Sequence, residues 1–160
     1  MFLGLNGSGM HPGLARCCRL ISRTGDGFLY VILAGWLYLA HGNEDQLLQA
    51  MFLAFVVERP VYFVLKNGFK RNRPQQAIEG FRSVITPSDQ FSFPSGHTSA
   101  AFMVATLVGY FMPALLVPLF IWALLVAFSR VALGVHFPTD TLMGIVLGVS
   151  IAFFSLNYIL

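Results

Sequence analysis

Three short patterns of basic, hydroxyl and imidazole side chains punctuate an otherwise apolar chain: Lys66 with Arg73-Pro74, then Pro94-Ser95-Gly96-His97, then Ser129-Arg130 with His136 and Asp140. Lys66, Arg73 and Arg130 are cations of the kind that stabilise a phosphoryl group, whose transition state spreads negative charge over three equatorial oxygens. The arginines offer planar forks and the lysine a point charge, so the set can clamp several oxygens at once. Pro94-Ser95-Gly96 stands immediately before an apolar helical run. Free backbone N–H groups at that helix start, a hydroxyl and a glycine that lets the backbone approach closely form an anion cradle, with His97 in the first turn. His136 and Asp140 are four residues apart. A helix beginning near Val135 puts them on one face, where the carboxylate can hold one imidazole nitrogen and leave the other as a nucleophile.

The elements that must position these groups are membrane helices. Of 160 residues, 56% are hydrophobic and 11% charged, and the mean hydropathy is +0.71. So much apolar surface would overfill the interior of a soluble globule of this size and coat its outside. The net charge of +3 comes from only ten Lys and Arg, too few to border a membrane and also cover a nucleic-acid footprint. Cys17 and Cys18 are adjacent and alone, which excludes a disulfide framework and a cysteine zinc site. Residues Met1 to Gly9 lack a basic region followed by a long apolar one, so no cleavable signal peptide is expected.

Five apolar runs follow, at about Gly27–Ala40, Leu47–Leu65, Thr98–Met112, Leu115–Leu133 and Thr139–Leu160. They are too long and too unalternating for barrel strands, which predicts an all-α, polytopic bundle of about five spans. From Leu14 to Arg23 the arginines at 16, 19 and 23 repeat at helical spacing, with Leu14, Cys17, Cys18 and Ile21 on the other side. That pattern predicts an amphipathic interfacial helix, broken by Thr24-Gly25-Asp26-Gly27. We therefore expect one integral-membrane domain over 1–160, with the interfacial helix and its break in 1–26, the bundle in 27–160 and a long polar loop from Lys66 to His97. With five crossings, this loop, the N-terminal helix and the Arg130–Pro138 connection share one membrane face.

Written out, the three patterns are K-x6-R-P, P-S-G-H and S-R-x5-H-x3-D. Together they resemble the tripartite signature of the type-2 phosphatidic acid phosphatase family, whose superfamily includes the vanadium-dependent haloperoxidases. The resemblance covers Lys66 to Asp140, about half the chain, with the motifs in the family's order. It implies that His136 attacks phosphorus to give a phosphohistidine, that Asp140 orients it, and that His97 protonates the leaving oxygen and then activates water. Lys66, Arg73, Ser95, Gly96 and Arg130 would bind the phosphate. No metal or other cofactor is implied, and Glu79, Asp89 and Asp140 lack the spacing of a metal site.

A site at the membrane surface with short flanking loops suits a lipid that keeps its tail in the bilayer. The family's compact bacterial members suggest undecaprenyl diphosphate first, with phosphatidylglycerol phosphate and phosphatidic acid as alternatives. Two readings from other classes are a lipid phosphotransferase and a non-catalytic headgroup-binding membrane protein. The basic residues of the site-bearing face would place it in the cytoplasm by the positive-inside rule, whereas the resemblance implies the periplasmic face of a bacterial inner membrane. Each residue also has an ordinary reading: Lys66 and Arg130 as snorkelling anchors, Ser95 as a helix cap, Asp140 as a first-turn carboxylate. Glu58-Arg59-Pro60, inside the second run, is expected to be an internal ion pair at a proline, outside the site. Gly134, Gly144 and Gly148 are expected to permit close helix packing.

Overall fold

The computed structural model describes residues 10–87 and 89–160, so the reading of Met1 to Gly9 lies outside the described residues. Those residues form seven α-helices and no strand: α1 Pro12–Thr24, α2 Gly27–His41, α3 Gln46–Phe69, α4 Pro74–Ala77, α5 Gly96–Phe111, α6 Leu116–Ala132 and α7 Pro138–Ile159, with a 3-10 turn at Pro113–Leu115. Local chemistry sets the boundaries. Asp45 accepts from the Leu48 N–H at 2.8 Å to start α3, and Gly42, at φ +78°, closes α2 in a conformation that side-chain-bearing residues rarely adopt. Helix α3 runs through Pro60 and one turn beyond the expected Leu65, so Lys66 belongs to its last turn and not to the loop.

Helix α5 is the axis of the bundle. Every residue from Thr98 to Gly109 is buried, which is why its sequence carries no polar stripe. Helices α3, α6 and α7 pack around it, and α1 lies against α6. Outward faces of the other helices carry large apolar side chains such as Leu39, Phe52, Phe63, Val117 and Phe154, as lipid demands. On length and composition, three stretches can cross a bilayer: 46–77, 113–132 and 138–159. Helices α2 and α5, at 15 and 16 residues, are shorter than a full crossing.

The expected face of α1 is only partly realised. Cys18 and Ser22 are buried against α6, while Leu14 and Cys17 remain exposed together with Arg16, Arg19 and Arg23. Trp122 Nε1 of α6 donates to Thr24 Oγ1 at 2.8 Å and pins the end of α1.

Glycine sets the closest approach in the core. A methyl group at Gly148 of α7 would lie 2.2 Å from the Ser99 carbonyl oxygen of α5, a contact with backbone that no rotamer change can relieve. Gly148→Ala should therefore push α5 and α7 apart and cost at least about 1 to 3 kcal/mol, the usual range for overpacking. Thermal unfolding in detergent checks this, and an unchanged midpoint would show that the two helices have slack.

Candidate active site

His136 lies in the turn between α6 and α7, not in a helix as expected. Gly134, at φ +74°, reverses the chain after α6, and α7 begins only at Pro138. His136 and Asp140 are therefore not stacked on successive helical turns, and Nδ1 stands 3.8 Å from Asp140 Oδ2, beyond hydrogen-bond range. Nδ1 is instead 2.7 Å from the Ser92 carbonyl oxygen. A carbonyl can only accept, so Nδ1 carries the proton and Nε2 is the nitrogen with a free lone pair. The orienting group that touches the imidazole is thus a backbone oxygen of the polar loop. Asp140, fully buried, accepts from the Phe137 N–H at 2.8 Å through Oδ2 and from Arg71 Nη1 at 2.8 Å through Oδ1, so it fixes the turn that holds His136. Burial, reinforced by the charges of Arg130 and Arg73 and opposed by Asp140, pushes the His136 imidazole down to about 4.

The three cations are brought to this turn, but on different terms. Arg73 is buried and donates through Nη1 to the Val135 carbonyl at 2.6 Å and through Nε to the Asp89 carbonyl at 3.0 Å, while Nη2 pairs with the Asp89 carboxylate. Lys66 Nζ pairs with the same carboxylate and with the Tyr62 hydroxyl. Asp89 thus stands where Lys66 and Arg73 converge and also accepts from Tyr62 at 2.8 Å. Burial works to raise its carboxyl, but the hydrogen bond and charge of Lys66, with Tyr62 and Arg73, hold it down to about 2. Arg130 donates through Nη1 to Ser22 Oγ at 2.8 Å, and its Nε is buried with no hydrogen-bond partner.

His97, in the first turn of α5, places Nε2 2.6 Å from Asp26 Oδ1, the residue that precedes α2. The expected cradle is only partly present. Ser95 Oγ is turned into the protein onto Thr98 Oγ1 at 2.9 Å, and the Ser95 N–H is taken by the Asp140 carbonyl at 3.0 Å. Gly96 packs against Tyr62, where an added methyl would sit 3.0 Å from the ring.

A cavity of about 590 Å³ joins these groups. Asp26, Asp89, Gly96, His97, Arg130 and His136 line its polar end, and Met51, Phe52 and Phe55 of α3 line its apolar end. Lys66, Arg73 and Ser95 stand behind that wall, the two cations screened by Asp89. Asp26, Asp89, Tyr62 and the Ser92 carbonyl escape sequence reasoning. Only Asp89, eight residues before His97 on the same loop, carries even a weak signal. Among the described residues no group of three His, Cys, Asp or Glu is close enough to hold a metal ion.

A family model described as the PAP2 superfamily matches residues 46–160. The chain is 33% identical over 143 residues to the decaprenylphosphoryl-5-phosphoribose phosphatase of Mycobacterium tuberculosis, an alignment covering 88% of this chain and 77% of that protein. Its fold is similar to the crystal structure of Aquifex aeolicus LpxE, with a TM-score of 0.86 and 28% identity, over 98% of this chain and 93% of the other. It is also similar to a PAP2-type phosphatidylglycerolphosphate phosphatase of Bacillus subtilis, with a TM-score of 0.80 and 31% identity, over 93% of this chain and 78% of the other.

Proposed function

The chain belongs to the PAP2 superfamily, and on that premise we propose that it is an integral-membrane lipid phosphatase working through a phosphohistidine on His136. One observation carries the reading. The unprotonated nitrogen of His136, the imidazole of His97 and the unpartnered Nε of Arg130 belong to side chains that line one cavity, whose other end is apolar. A phosphate entering that polar end meets a nucleophile, an acid and a cation, while the lipid tail keeps to the apolar side.

The steps follow from these groups. The substrate phosphate displaces the Asp89 carboxylate from Lys66 and Arg73, since the two anions seek the same donors. Nε2 of His136 then attacks phosphorus as the bond to the lipid oxygen breaks, and His97 gives that oxygen its proton. In the second half a water attacks phosphorus, His97 takes the water's proton, the N–P bond breaks and inorganic phosphate leaves. Asp26 holds His97 on the far side of its ring through both halves.

Undecaprenyl diphosphate is the lead substrate, with phosphatidylglycerol phosphate and phosphatidic acid as the alternatives. The cavity's apolar wall is generic and suits any of these tails. We read the whole of 1–160 as one domain in a bacterial inner membrane, crossing it five times, with α2 and α5 as the short crossings and α1 on the interface. The site then faces the periplasm, where a surface that binds anionic headgroups has its own reason to be basic. Cys17 is exposed on α1, at the site's end of the bundle, so a membrane-impermeant thiol reagent should label it in intact cells if the site faces outward. Protection until the membrane is opened would invert the orientation.

Phosphate release from the three lipids by purified protein in detergent, with chelator present, tests the activity. Transfer of phosphate only when an alcohol acceptor is added would favour a phosphotransferase, and headgroup binding without turnover a non-catalytic protein. The acid limb of the rate is fixed by His136. Its nucleophilic form is the neutral one, which persists until the pH falls to about 4, so the acid limb of kcat/KM should lie near pH 4 and not in the ordinary histidine range, while loss of the His97 proton sets the alkaline limb. An acid limb centred near 6.5 would mean that His136 is not the titrating group.

A further inference from the structure

Arg59 is a charge that the chemistry above does not use. It stands within the apolar part of α3, where an ionisable side chain is costly and marks a polar pathway when it is kept. Its neighbour Glu58 is fully buried and does not line the cavity. Glu58 Oε1 accepts from Ser99 Oγ of α5 at 2.8 Å, and Oε2 accepts from Arg59 Nε at 2.5 Å. The carboxylate therefore anchors one edge of the guanidinium from behind. The side chain of Arg59, 51% exposed, forms part of the cavity wall together with His97, Arg130 and His136.

The position of the guanidinium along α3 matters. Arg59, Tyr62 and Lys66 fall at i, i+3 and i+7, one face of the helix. The Tyr62 ring lies between the two cations, with Arg59 Cζ 4.8 Å and Lys66 Nζ 4.5 Å from its centroid. Two anion-seeking groups are thus set one aromatic ring apart. Lys66 is beside the catalytic loop, and Arg59 is on the side of Phe55 and Met51, toward the lipid. A guanidinium has five N–H donors in a fixed fork, so Glu58 leaves it able to receive a phosphate oxygen.

We propose that Arg59 recognises a second phosphate, on the lipid side of the one that is cleaved. The preferred substrate is then a lipid carrying two phosphates, not a simple phosphomonoester. This rests on the phosphatase reading and narrows it. Two kinds of lipid share the chemistry: a polyprenol with two phosphates joined directly, and a phosphodiester lipid whose terminal phosphate is set off by a short polyol.

Turnover of undecaprenyl diphosphate, phosphatidylglycerol phosphate and phosphatidic acid by the wild-type protein and Arg59→Gln separates the possibilities. The wild type should favour one of the two-phosphate lipids. The variant should lose about tenfold or more in kcat/KM on that lipid, mainly through KM, and change on phosphatidic acid by less than about twofold, so that the preference collapses. Whichever two-phosphate lipid carries the loss identifies the source. Because Arg59→Gln leaves Glu58 buried without its cation, the double variant Glu58→Gln/Arg59→Gln keeps the Ser99 contact and gives the same readout if the single variant does not fold. An equal loss on all three lipids, or a preference that survives in both variants, would overturn the assignment and leave the phosphatase reading standing. A wild-type protein that releases phosphate from none of them would overturn the phosphatase reading itself, and this proposal with it.

Discussion

His136→Ala should reduce phosphate release by about 10⁴-fold or more, the scale of losing a covalent nucleophile. No other group at the polar end of the cavity can take its place. His97 is held by Asp26 through Nε2 and has its other nitrogen engaged in proton transfer to the leaving oxygen and from the water, and Asp89 faces Lys66 and Arg73, so neither takes over the attack on phosphorus. The imidazole is also set for attack before substrate arrives. Its proton is held on Nδ1 by the Ser92 carbonyl at 2.7 Å, and burial keeps the ring neutral down to about pH 4. The control is that the variant elutes and melts like the wild type, because a side chain only 2% exposed leaves a void when truncated. A folded variant within about tenfold of the wild type would remove His136 from the nucleophile's role.

The same arrangement separates Asp140 from His136 in the expected results. Asp140 hydrogen-bonds the Phe137 N–H and Arg71 and stands 3.8 Å from the imidazole, so its loss acts chiefly through the shape of the turn and secondarily through the charge beside the ring. Asp140→Asn keeps an oxygen for the Phe137 N–H and gives up the charge opposite Arg71. It should therefore be milder than His136→Ala by at least an order of magnitude.

How much of this was legible in the sequence depends on whether a feature obeys a periodicity. Helices α2, α6 and α7 lie within a few residues of the apolar runs, because lipid imposes one rule on every outward-facing position. Helix α5 was legible for the opposite reason, being buried on all sides and so apolar throughout. The motif residues were legible as types in an order, and the fold brings Lys66, Arg73, His97, Arg130 and His136 around one turn and one cavity wall. Their partners were not legible. Asp26 meets His97 across 71 positions, Arg130 meets Ser22 across 108, and the Ser92 carbonyl meets His136 across 44. No local spacing rule spans such separations. The four-residue spacing of His136 and Asp140 does bring the pair to 3.8 Å, but across a turn and not along a helix, because Gly134 takes a positive φ and Pro138 begins the helix.

Arg130→Ala and Arg73→Ala should each cost about 2 to 4 kcal/mol of transition-state stabilisation, but by routes that a second measurement separates. Arg130 lines the cavity with a buried Nε that has no partner, while its Nη1 is tied to Ser22 on α1. Its Nε is free for an anion that enters the cavity, so its loss should fall chiefly on kcat, and the unfolding midpoint should drop by less than for Arg73→Ala because only the Ser22 bond and the packing of one side chain are lost. Arg73 already spends its fork on the Val135 carbonyl and on Asp89. Removing it frees the carbonyl next to His136 and leaves Asp89 with one cation fewer, so Arg73→Ala should lower the melting temperature as well as the rate. Lysine should not restore either one, because one ammonium cannot span the two acceptors that a guanidinium fork reaches. If Arg130→Ala instead destabilised the fold while Arg73→Ala left it intact, the division between an anion-facing and a turn-holding arginine would be reversed. Equal rates for wild type and both variants would remove the phosphate clamp altogether.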